Sequence, residues 1–427
     1  MLEIHCKSMG NKDWKVAIIG AGVSGLVAAR ILEENNISPI IYDATDRVGG
    51  RVKTDIVKGY QLDHGFQVLL TNYPAAKKYL DYPSLELQSF LPGAQIFYNE
   101  GGTVIGDAFR KFSFLLPTIF SFAGSFSDKL KVLKLNKILK QKTVEKIFAE
   151  EEKTTLQYLR DFGFSDKMIS RFFKPFFTGI FLETELETSS RMFEFVYKMF
   201  GEGVAALPKG GIEKIPQQLA SGLTKSKIQF DTKIQKVEGE HIFFENGNKK
   251  QFDFIIIATE PSHLISNMKN QEVDWKSCET LYFTTNNQII SKPLIGLIAD
   301  KNSIVNNIFY HTTIEMENKG SEELLSVTVV KDHNLNNDDL IQQVQKDLEK
   351  YCGITELTFL KLYDIPKALP NLQNIRYSID PSESMLTHYI FLAGDSQLNG
   401  SLNAAMLSGE AAGIGVLEKM GIITYKG

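Results

Sequence analysis

The hydrophobic pattern near the start of the chain changes from a strand-like to a helix-like period and back. Lys15 to Ile19 is a short, mostly apolar stretch ended by Gly20, as is typical of a buried parallel strand. Ser24 to Asn35 carries apolar residues at helical spacing and predicts a helix. Ser38 to Tyr42 predicts a second strand. A strand–helix–strand unit of this kind is a building block of a parallel sheet.

Similar patterns return much later in the chain. Phe254 to Ala258 and Tyr389 to Ala393 predict buried strands, and a helix rich in small residues is predicted from about Leu402. One intervening stretch is predicted to be helical from Ser127 onward. A second alternates apolar strand patterns, "SKPLIGLIA", "NNIFYHTTI" and "ELLSVTVV", with a helix over Asp338 to Tyr351. Strands with a helix packed on one face indicate a mixed sheet.

Composition is that of an ordinary globular protein. The 427 residues suffice for two or three domains, with 43% hydrophobic and 23% charged residues. The net charge of −4 gives no reason to expect nucleic acid as a partner. Cys6, Cys278 and Cys352 are scattered, and the seven histidines form no ligand-spaced pair, so we expect neither a disulfide framework nor a metal site.

The sequence also bears on location. Charged residues are spread over 1–15, so no secretory signal is predicted there. No run approaches the ~20 apolar residues of a membrane-spanning helix. Together with the cysteine usage, these features predict a cytoplasmic protein.

The turn after the first predicted strand contains glycines at the spacing of dinucleotide-binding loops. Gly20 permits a tight turn, Gly22 keeps no side chain between backbone and pyrophosphate, and Gly25 lets helix and strand pack closely. The helix N-terminus offers N–H groups and a positive dipole end to phosphate. Asp43 ends the second strand 23 residues after Gly20, where a carboxylate binds a ribose hydroxyl and repels the 2′-phosphate of NADP. A tight turn that binds nothing is the alternative.

A second glycine pair follows directly in "ATDRVGGRVKTD". Gly49 and Gly50 let the backbone approach a flat or charged ligand, and Arg47 and Arg51 are suited to neutralise a pyrophosphate. A nicotinamide dehydrogenase has no need of this addition. A surface turn with solvated arginines is the alternative interpretation.

This combination resembles the superfamily of flavin-dependent amine oxidases, phytoene desaturases and protoporphyrinogen oxidases. The similarity continues at "YQLDHGFQVLL", "ALPKGGIEKIPQQLASGL" and "YIFLAGDSQLNGSLNAAMLSGEAAGIGVL". The resemblance implies that Gly65 passes over a flavin ring and that Val237 lies against the adenine. It also implies that Asp395 binds the ribityl chain and that the helix start near Asn403 points at the pyrimidine edge of the flavin.

The resemblance therefore implies FAD, bound by residues of these motifs. They are Gly20, Gly22, Val23, Ser24, Gly25, Asp43, Ala44, Arg47, Gly49, Gly50, Arg51, Gly65, Phe66, Val237, Ala258, Gly394, Asp395, Leu402, Asn403 and Ala404. The FAD is expected to be non-covalent because "SQLNGSLNAAM" has no cysteine. No second glycine loop for a nicotinamide cofactor is visible, so oxygen or a quinone is the expected electron acceptor.

The resemblance also implies the fold class and the division of the chain. We expect an α/β protein in which a Rossmann-like FAD-binding domain is interleaved with a substrate-binding domain of mixed sheet plus helices. The first is predicted to comprise residues 14–75, 207–285 and 366–427, and the second residues 76–206 and 286–365.

Within the superfamily the sequence favours the carotenoid desaturase-like branch. Amine oxidases usually place a lysine near the flavin on a strand resembling "CETLYFTTNN", and Lys276 is predicted to precede that strand. The expected reaction is hydride transfer to FAD from a small hydrophobic substrate of polyene or isoprenoid type. A flavin amine oxidase is the alternative enzyme. A non-catalytic prenyl carrier resembling Rab GDP-dissociation inhibitors is the alternative of another class.

No residue stands out as catalytic. His64, beside the predicted flavin strand, is a candidate for handling protons, and a purely structural histidine is the simpler interpretation. The aromatic clusters "RFFKPFFTGIF" and "RMFEFVYKMF" suit either an apolar tunnel or an ordinary core.

Residues 112–142 combine an uncharged stretch, "FSFLLPTIFSFAGSF", with a lysine-rich amphipathic pattern that predicts a helix capped by Ser127. Such a segment suits peripheral contact with the anionic inner face of a membrane, with Lys131 and Lys134 among the contacting charges. A buried hairpin with a solvated lysine face is the alternative.

Overall fold

The computed structural model describes residues 13–98, 101–107, 110–268 and 272–423, so Cys6 and the charges before Asp13 lie outside the described residues. Its strands follow the apolar runs of the sequence. They are β1 (Val16–Ile19), β2 (Ile40–Tyr42), β3 (Thr54–Val57), β4 (Tyr60–Asp63), β5 (Leu69–Leu70), β6 (Leu87–Ser89), β7 (Gly93–Tyr98), β8 (Gly101–Gly106), β9 (Ala205–Pro208), β10 (Lys227–Gln229), β11 (Ile234–Glu238), β12 (His241–Phe244), β13 (Lys249–Gln251), β14 (Phe254–Ile257), β15 (Trp275–Thr285), β16 (Ile295–Ile298), β17 (Val305–Tyr310), β18 (Glu323–Val329), β19 (Thr358–Pro370) and β20 (Ile390–Leu392).

The helices are concentrated in the first insertion and at the two ends of the described chain. They are α1 (Val23–Glu34), α2 (Pro74–Tyr79), α3 (Tyr82–Leu85), α4 (Leu115–Phe120), α5 (Phe126–Gln141), α6 (Val144–Ala149), α7 (Thr155–Asp161), α8 (Asp166–Met168), α9 (Lys174–Phe181), α10 (Ser190–Glu202), α11 (Lys214–Ser221), α12 (Asn337–Asp347) and α13 (Leu402–Lys419). None of the helices in the described ranges has both the length and the apolar character that crossing a membrane requires.

Helix α5 has a different capping residue from the predicted one, and the helix predicted over Asp338 to Tyr351 ends earlier. The cap of α5 is Ser125 and not Ser127, because the Ser125 hydroxyl accepts from the N–H of Asp128 at 3.2 Å. The Asp128 carboxylate accepts in return from the N–H of Ser125 at 2.8 Å, which completes a capping box. Helix α12 ends at Asp347 and continues only as a π-helical turn, Leu348–Cys352.

A five-stranded parallel sheet forms the first layer, in the order β10–β2–β1–β14–β20. Val16 and Ile18 of its central strand pack in the core that contains α1 and α13. Ala17 and Ile19 face the opposite core, which the strands β11 to β13 cover. Because both faces are covered, an unbroken apolar strand is the expected sequence. The predicted α/β class is confirmed.

A seven-stranded mixed sheet forms the second layer, in the order β19–β15–β18–β17–β16–β7–β8. Leu281, Val327 and Ile308 point to one face, where they pack with α12. Thr280 and Thr328 are the sequence neighbours of Leu281 and Val327, and they therefore point to the other face. That second face borders the cavity described below.

The predicted domain boundaries stay a prediction, and the strand pairing bears on them. The prediction assigns strand β15 to the FAD-binding domain, yet this strand pairs with β18 and β19 of the seven-stranded sheet. Strand β19 itself crosses the predicted boundary between 365 and 366.

Candidate functional site

One cavity connects the carboxyl ends of the parallel strands to the seven-stranded sheet and the helices of the first insertion. Its volume is about 1430 Å³. A typical small-molecule site measures roughly 300–1,000 Å³. The cavity therefore has room for more than one ligand of ordinary size.

The motifs that the sequence analysis connected lie together around this cavity. Its lining includes Gly20, Gly22, Val23, Ser24, Asp43, Gly49, Gly50, Arg51, His64, Gly65, Phe66, Ala258, Gly394, Asp395 and Leu402. These residues follow β1, β2, β4, β14 and β20 or begin the helices after them. The carboxyl edge of an open parallel sheet is where ligands bind in such folds.

The first glycine loop has the shape of a phosphate cradle. Gly22 precedes α1 and has no side-chain cap above the first N–H groups of that helix. A Cβ atom at Gly22 would meet no atom within 4 Å, so it would project into open space. At Gly25, by contrast, a Cβ atom would lie 2.0 Å from the carbonyl oxygen of Gly20. Gly25 therefore serves helix packing, and Gly22 leaves space at the helix N-terminus, which suits an anion.

The second glycine pair lies directly against the first loop. Gly22 and Gly49 form a parallel bridge, and the N–H of Gly49 donates to the carbonyl of Ala21 at 3.0 Å. Asp43 fixes the same loop, because its carboxylate accepts from the N–H of Ala21 at 2.7 Å. The pyrophosphate-binding elements expected from sequence thus form one continuous wall.

The two arginines of this segment have different partners. The Arg51 guanidinium lines the cavity, pairs with Asp395 and donates to the carbonyl of Ala368 at 3.1 Å. Arg47 is not among the lining residues. It is held by Asp55 at 2.6 Å and by Glu213 at 3.3 Å. Only Arg51 therefore faces the space where a pyrophosphate was expected.

Five other assigned residues also lie outside the cavity lining, namely Gly25, Ala44, Val237, Asn403 and Ala404. The N–H of Val237 donates to the carbonyl of Leu264 at 2.8 Å. Asn403 is fully buried and accepts from the N–H of Ala75 at 3.0 Å. The N–H of Ala404 donates to the N-cap Ser401 at 3.0 Å. Their assignment to the cofactor stays a prediction.

His64 belongs to a hydrogen-bonded network that the sequence did not reveal. Its Nε2 lies 2.8 Å from a carboxylate oxygen of Asp55, and its ring lies 4.4 Å from that of Tyr363. The Tyr363 hydroxyl donates to the same carboxylate oxygen at 2.9 Å. Although burial raises the pKa of Asp55, hydrogen bonds from His64, Arg47 and Tyr363 outweigh it and lower that pKa to about 2. His64 thus lies on the cavity wall beside a carboxylate that is charged at neutral pH.

The remainder of the cavity is mainly apolar. Its lining there includes Phe90, Leu91, Leu115, Phe126, Leu130, Leu133, Phe172, Phe176, Val196, Tyr197 and Phe200. The aromatic clusters of the first insertion therefore divide between two roles. Phe173, Phe177 and Phe193 are fully buried core residues, whereas Phe172, Phe176 and Phe200 face the cavity.

The prediction that Lys276 precedes its strand is wrong. Strand β15 begins at Trp275 and includes Lys276, because its pairing with β19 extends to that end. The side chain nevertheless points away from the cavity, which Trp275 and Cys278 line instead. The Lys276 ammonium donates to the Thr188 hydroxyl at 3.0 Å, and burial lowers its pKa.

Comparison with known proteins gives matches over most of the chain. The model of the family described as flavin containing amine oxidoreductase matches residues 23–413. Protoporphyrinogen oxidase 2 of Arabidopsis thaliana is 21% identical, and the alignment covers 92% of each protein. Shorter matches include the lysine-specific histone demethylase 1B homolog of Caenorhabditis elegans, 41% identical over 58 residues. That match spans 14% of this chain and only 7% of the relative.

Solved structures with the same fold cover nearly the whole chain. Putrescine oxidase bound to putrescine has a TM-score of 0.71 at 15% identity, over 95% of this chain and 99% of that one. Cyclohexylamine oxidase from Brevibacterium oxydans has a TM-score of 0.68 at 13% identity, over 96% and 100%. At these identities the likeness establishes a common fold.

Proposed function

Because this chain belongs to the flavin-containing amine oxidoreductase family, it is an FAD-dependent oxidoreductase, and we propose that it oxidises or desaturates a small hydrophobic molecule. Polyene- and isoprenoid-like compounds are the proposed substrate class. The proposed acceptor of the electrons is oxygen or a quinone. Family membership does not support the alternative of a non-catalytic prenyl carrier.

The residues at the carboxyl edge of the parallel sheet fit the cofactor. FAD supplies the hydride acceptor when it is bound. The open space at Gly22 and the uncapped start of α1 suit its pyrophosphate, and Asp43 suits a ribose hydroxyl. Arg51 and Asp395 lie on the same wall.

The observation that carries the substrate proposal is the continuity of the cavity. The same space that begins at Gly22 ends among Phe172, Phe176 and Leu133. Apolar walls favour an apolar ligand because its transfer from water is favourable in proportion to the area removed from water. Exclusion of water also strengthens every electrostatic interaction at the reacting end.

We propose His64 as the group that accepts or returns a proton at the cavity wall. The Asp55 carboxylate fixes the orientation of the imidazole through Nε2. A change of His64 to Gln should remove one limb of the pH profile of flavin reduction. An unchanged profile would assign His64 a structural role.

Peripheral contact with an anionic membrane through residues 112–142 is part of the proposal. Leu116, Phe120, Phe126 and Leu130 are exposed large apolar side chains on α4 and α5. Lys137 and Lys140 of α5 are exposed as well. Exposed apolar and basic side chains on one surface are characteristic of interfacial helices.

A flavin amine oxidase is the second candidate. The structural similarity to putrescine oxidase and cyclohexylamine oxidase favours it. The position of Lys276 outside the cavity lining favours the first candidate.

The deciding experiment is anaerobic mixing of the purified yellow protein with polyenes, porphyrinogens and amines while the flavin absorption is followed. Bleaching by a polyene or another lipophilic compound is the expected result. Bleaching by amines alone would establish the amine oxidase instead. A protein that takes up no FAD would refute both.

A further inference from the structure

A row of polar side chains crosses the sheet face that borders the cavity. Tyr363 of β19 pairs with Thr280 of β15, and Thr280 pairs with Thr328 of β18. Thr328 in turn pairs with Asn307 of β17. Directly opposed residues of neighbouring strands point to the same face of a sheet. Tyr363, Thr328 and Asn307 line the cavity, and Thr280 lies between two of them.

The hydrogen bonds within this row leave hydroxyl hydrogens without acceptors. The Asn307 carbonyl accepts from the Asn306 amide at 2.9 Å, and the Asn307 amide donates to the Thr328 hydroxyl at 3.1 Å. That hydroxyl therefore accepts, and no acceptor for its own hydrogen is found among the described residues. The Thr280 hydroxyl is buried and has no partner at all within those residues.

Polar groups in such a place are unfavourable unless something satisfies them. Asn307, Thr328 and Thr280 are all nearly or fully buried. Burying a hydroxyl without a hydrogen bond opposes folding, and valine would fill the same volume without that cost. We propose that Asn307 and Thr328 bind an oxygen atom of the substrate. This rests on the proposed function, in which the cavity holds a lipophilic substrate.

The chemistry of the row favours a neutral acceptor over an amine. At the cavity wall the hydroxyl hydrogen of Thr328 is a donor without an acceptor among the described residues, and an ammonium group, which has only donors, does not supply one. None of the four side chains is a carboxylate. The matching substrate is therefore an oxygenated lipophile, with a carbonyl, ether or hydroxyl oxygen, and neither a plain hydrocarbon nor an amine.

The Tyr363 end of the row lies beside His64 and the loop assigned to the flavin, whereas Thr328 and Asn307 lie toward its other end. The rings of Phe66 and Phe309 are 5.3 Å apart, and Phe309 is two residues from Asn307 on the same strand face. Two residues along a strand span about 7 Å. The bound oxygen thus anchors the substrate at a distance from the reacting atoms. Asn307 and Thr328 are specificity-determining residues in this proposal.

Three probes of one carbon skeleton test the proposal, namely benzylacetone, butylbenzene and the amine in which an amino group replaces the carbonyl. Affinities are measured by the change in flavin absorption of the holoprotein and, without the cofactor, by the thermal unfolding of the apoprotein. The measured quantity is the ratio of ketone affinity to hydrocarbon affinity. It cancels any general change in the cavity.

Thr328→Val should lower that ratio about tenfold, the worth of one net hydrogen bond, and Asn307→Leu should lower it by a similar factor. Thr284→Val, a buried threonine of β15 outside the cavity lining, should leave it unchanged. Butylbenzene affinity shows whether each variant keeps its cavity.

A ketone ratio that survives both Thr328→Val and Asn307→Leu would overturn the proposal. An equal fall in the ratio of amine affinity to hydrocarbon affinity would also overturn it. Failure of this proposal is distinguishable from failure of the proposed function. If the protein binds no FAD, the ratio of ketone affinity to hydrocarbon affinity is still measured by thermal unfolding of the apoprotein.

Discussion

Asp55 and Asp63 lie on adjacent strands, β3 and β4, and their pKa values are shifted in opposite directions. Burial raises the pKa of Asp63 to about 6, against hydrogen bonds from Thr54 and Ile212 and with a further increase from Glu213. Three donors lower the pKa of Asp55 to about 2 despite its partial burial. These two aspartates therefore make the folding stability depend on pH in opposite directions, because their partners differ.

The wild type should become less stable as the pH rises from about 4 to about 6, and the variant Asp63→Asn should not show this loss. In the wild type the unfolded chain releases this proton near pH 4 and the folded protein near pH 6, so stability falls as pH rises between them. A shift of this size corresponds to about 3 kcal/mol. Asparagine keeps the bonds from Thr54 and Ile212, because both donate to the same oxygen. Urea unfolding of both proteins at pH 4 and pH 7 measures the difference.

Asp55→Asn provides the control of opposite sign. The lowered pKa of Asp55 contributes stability above its unfolded pKa, and that contribution is lost as pH falls toward 2. The variant should therefore be less stable than the wild type at pH 7, with a difference that shrinks in acid. Parallel pH profiles for the wild type and Asp63→Asn would contradict the assignment of Asp63.

Thr280→Val should stabilise the ligand-free protein by about 1 kcal/mol, because it removes a buried hydroxyl that has no partner among the described residues. Thr155→Val is the matched control, since the Thr155 hydroxyl is equally buried and donates to the carbonyl of Thr188 at 2.6 Å. It should lower the free energy of unfolding by a similar amount. A stability loss in both variants would mean that the Thr280 hydroxyl has a partner.

At the scale of the element, helix α1 has separate requirements for packing and for binding. Gly25 touches the turn at Gly20, and Gly22 touches nothing on its open side. Gly22 has an ordinary extended backbone conformation, with φ of −75°, that alanine adopts without strain. The two glycines therefore allow the two requirements to be tested apart.

Gly22→Ala should leave the stability of the apoprotein nearly unchanged and weaken FAD binding about tenfold or more, because the methyl group enters the cradle. Gly25→Ala should destabilise the apoprotein by about 2 kcal/mol, because its Cβ atom would lie 2.0 Å from a carbonyl oxygen. Fluorescence titration with FAD and urea unfolding of the apoprotein measure the two effects. Equal FAD affinity of Gly22→Ala and wild type would remove this loop from the proposed site.

At the scale of the whole molecule, the cavity lies next to the most exposed apolar surface of the described chain. Phe126, Leu130 and Leu133 line the cavity and are also exposed. The lysines named from sequence are less suited to membrane contact than expected. Lys131 bonds to the carbonyl of Gly163, and Lys134 lies over the ring of Phe162.

The double change Leu116→Gln and Phe120→Gln should lower co-sedimentation with anionic liposomes at least about tenfold, because these side chains are 64% and 81% exposed and bury apolar area only on a bilayer. The double change Met385→Gln and Leu386→Gln, at side chains 37% and 39% exposed in another part of the surface, should have no effect. Absence of wild-type sedimentation at low salt would end the membrane proposal.

The sequence by itself determined most elements of this protein and the loops between them, because strand and helix periods and glycine spacing are local properties. Four of the five parallel strands, β1, β2, β14 and β20, and the glycine turns follow from these local patterns. The family resemblance connected their loops to one cofactor. The extended start of β15 arose where pairing with β19 overrides the local pattern, whereas the missed cap of α5 belongs to a capping box, which is itself a local pattern.

Only the tertiary structure decided which side chains face the cavity. Arg47 turns to Asp55 and Glu213, and His64 gains Asp55 and Tyr363 as partners, although Tyr363 is about 300 residues away in the sequence. The polar row from Tyr363 to Asn307 exists only because four strands pair in one register. Register and packing depend on contacts between distant segments, and no local pattern encodes them.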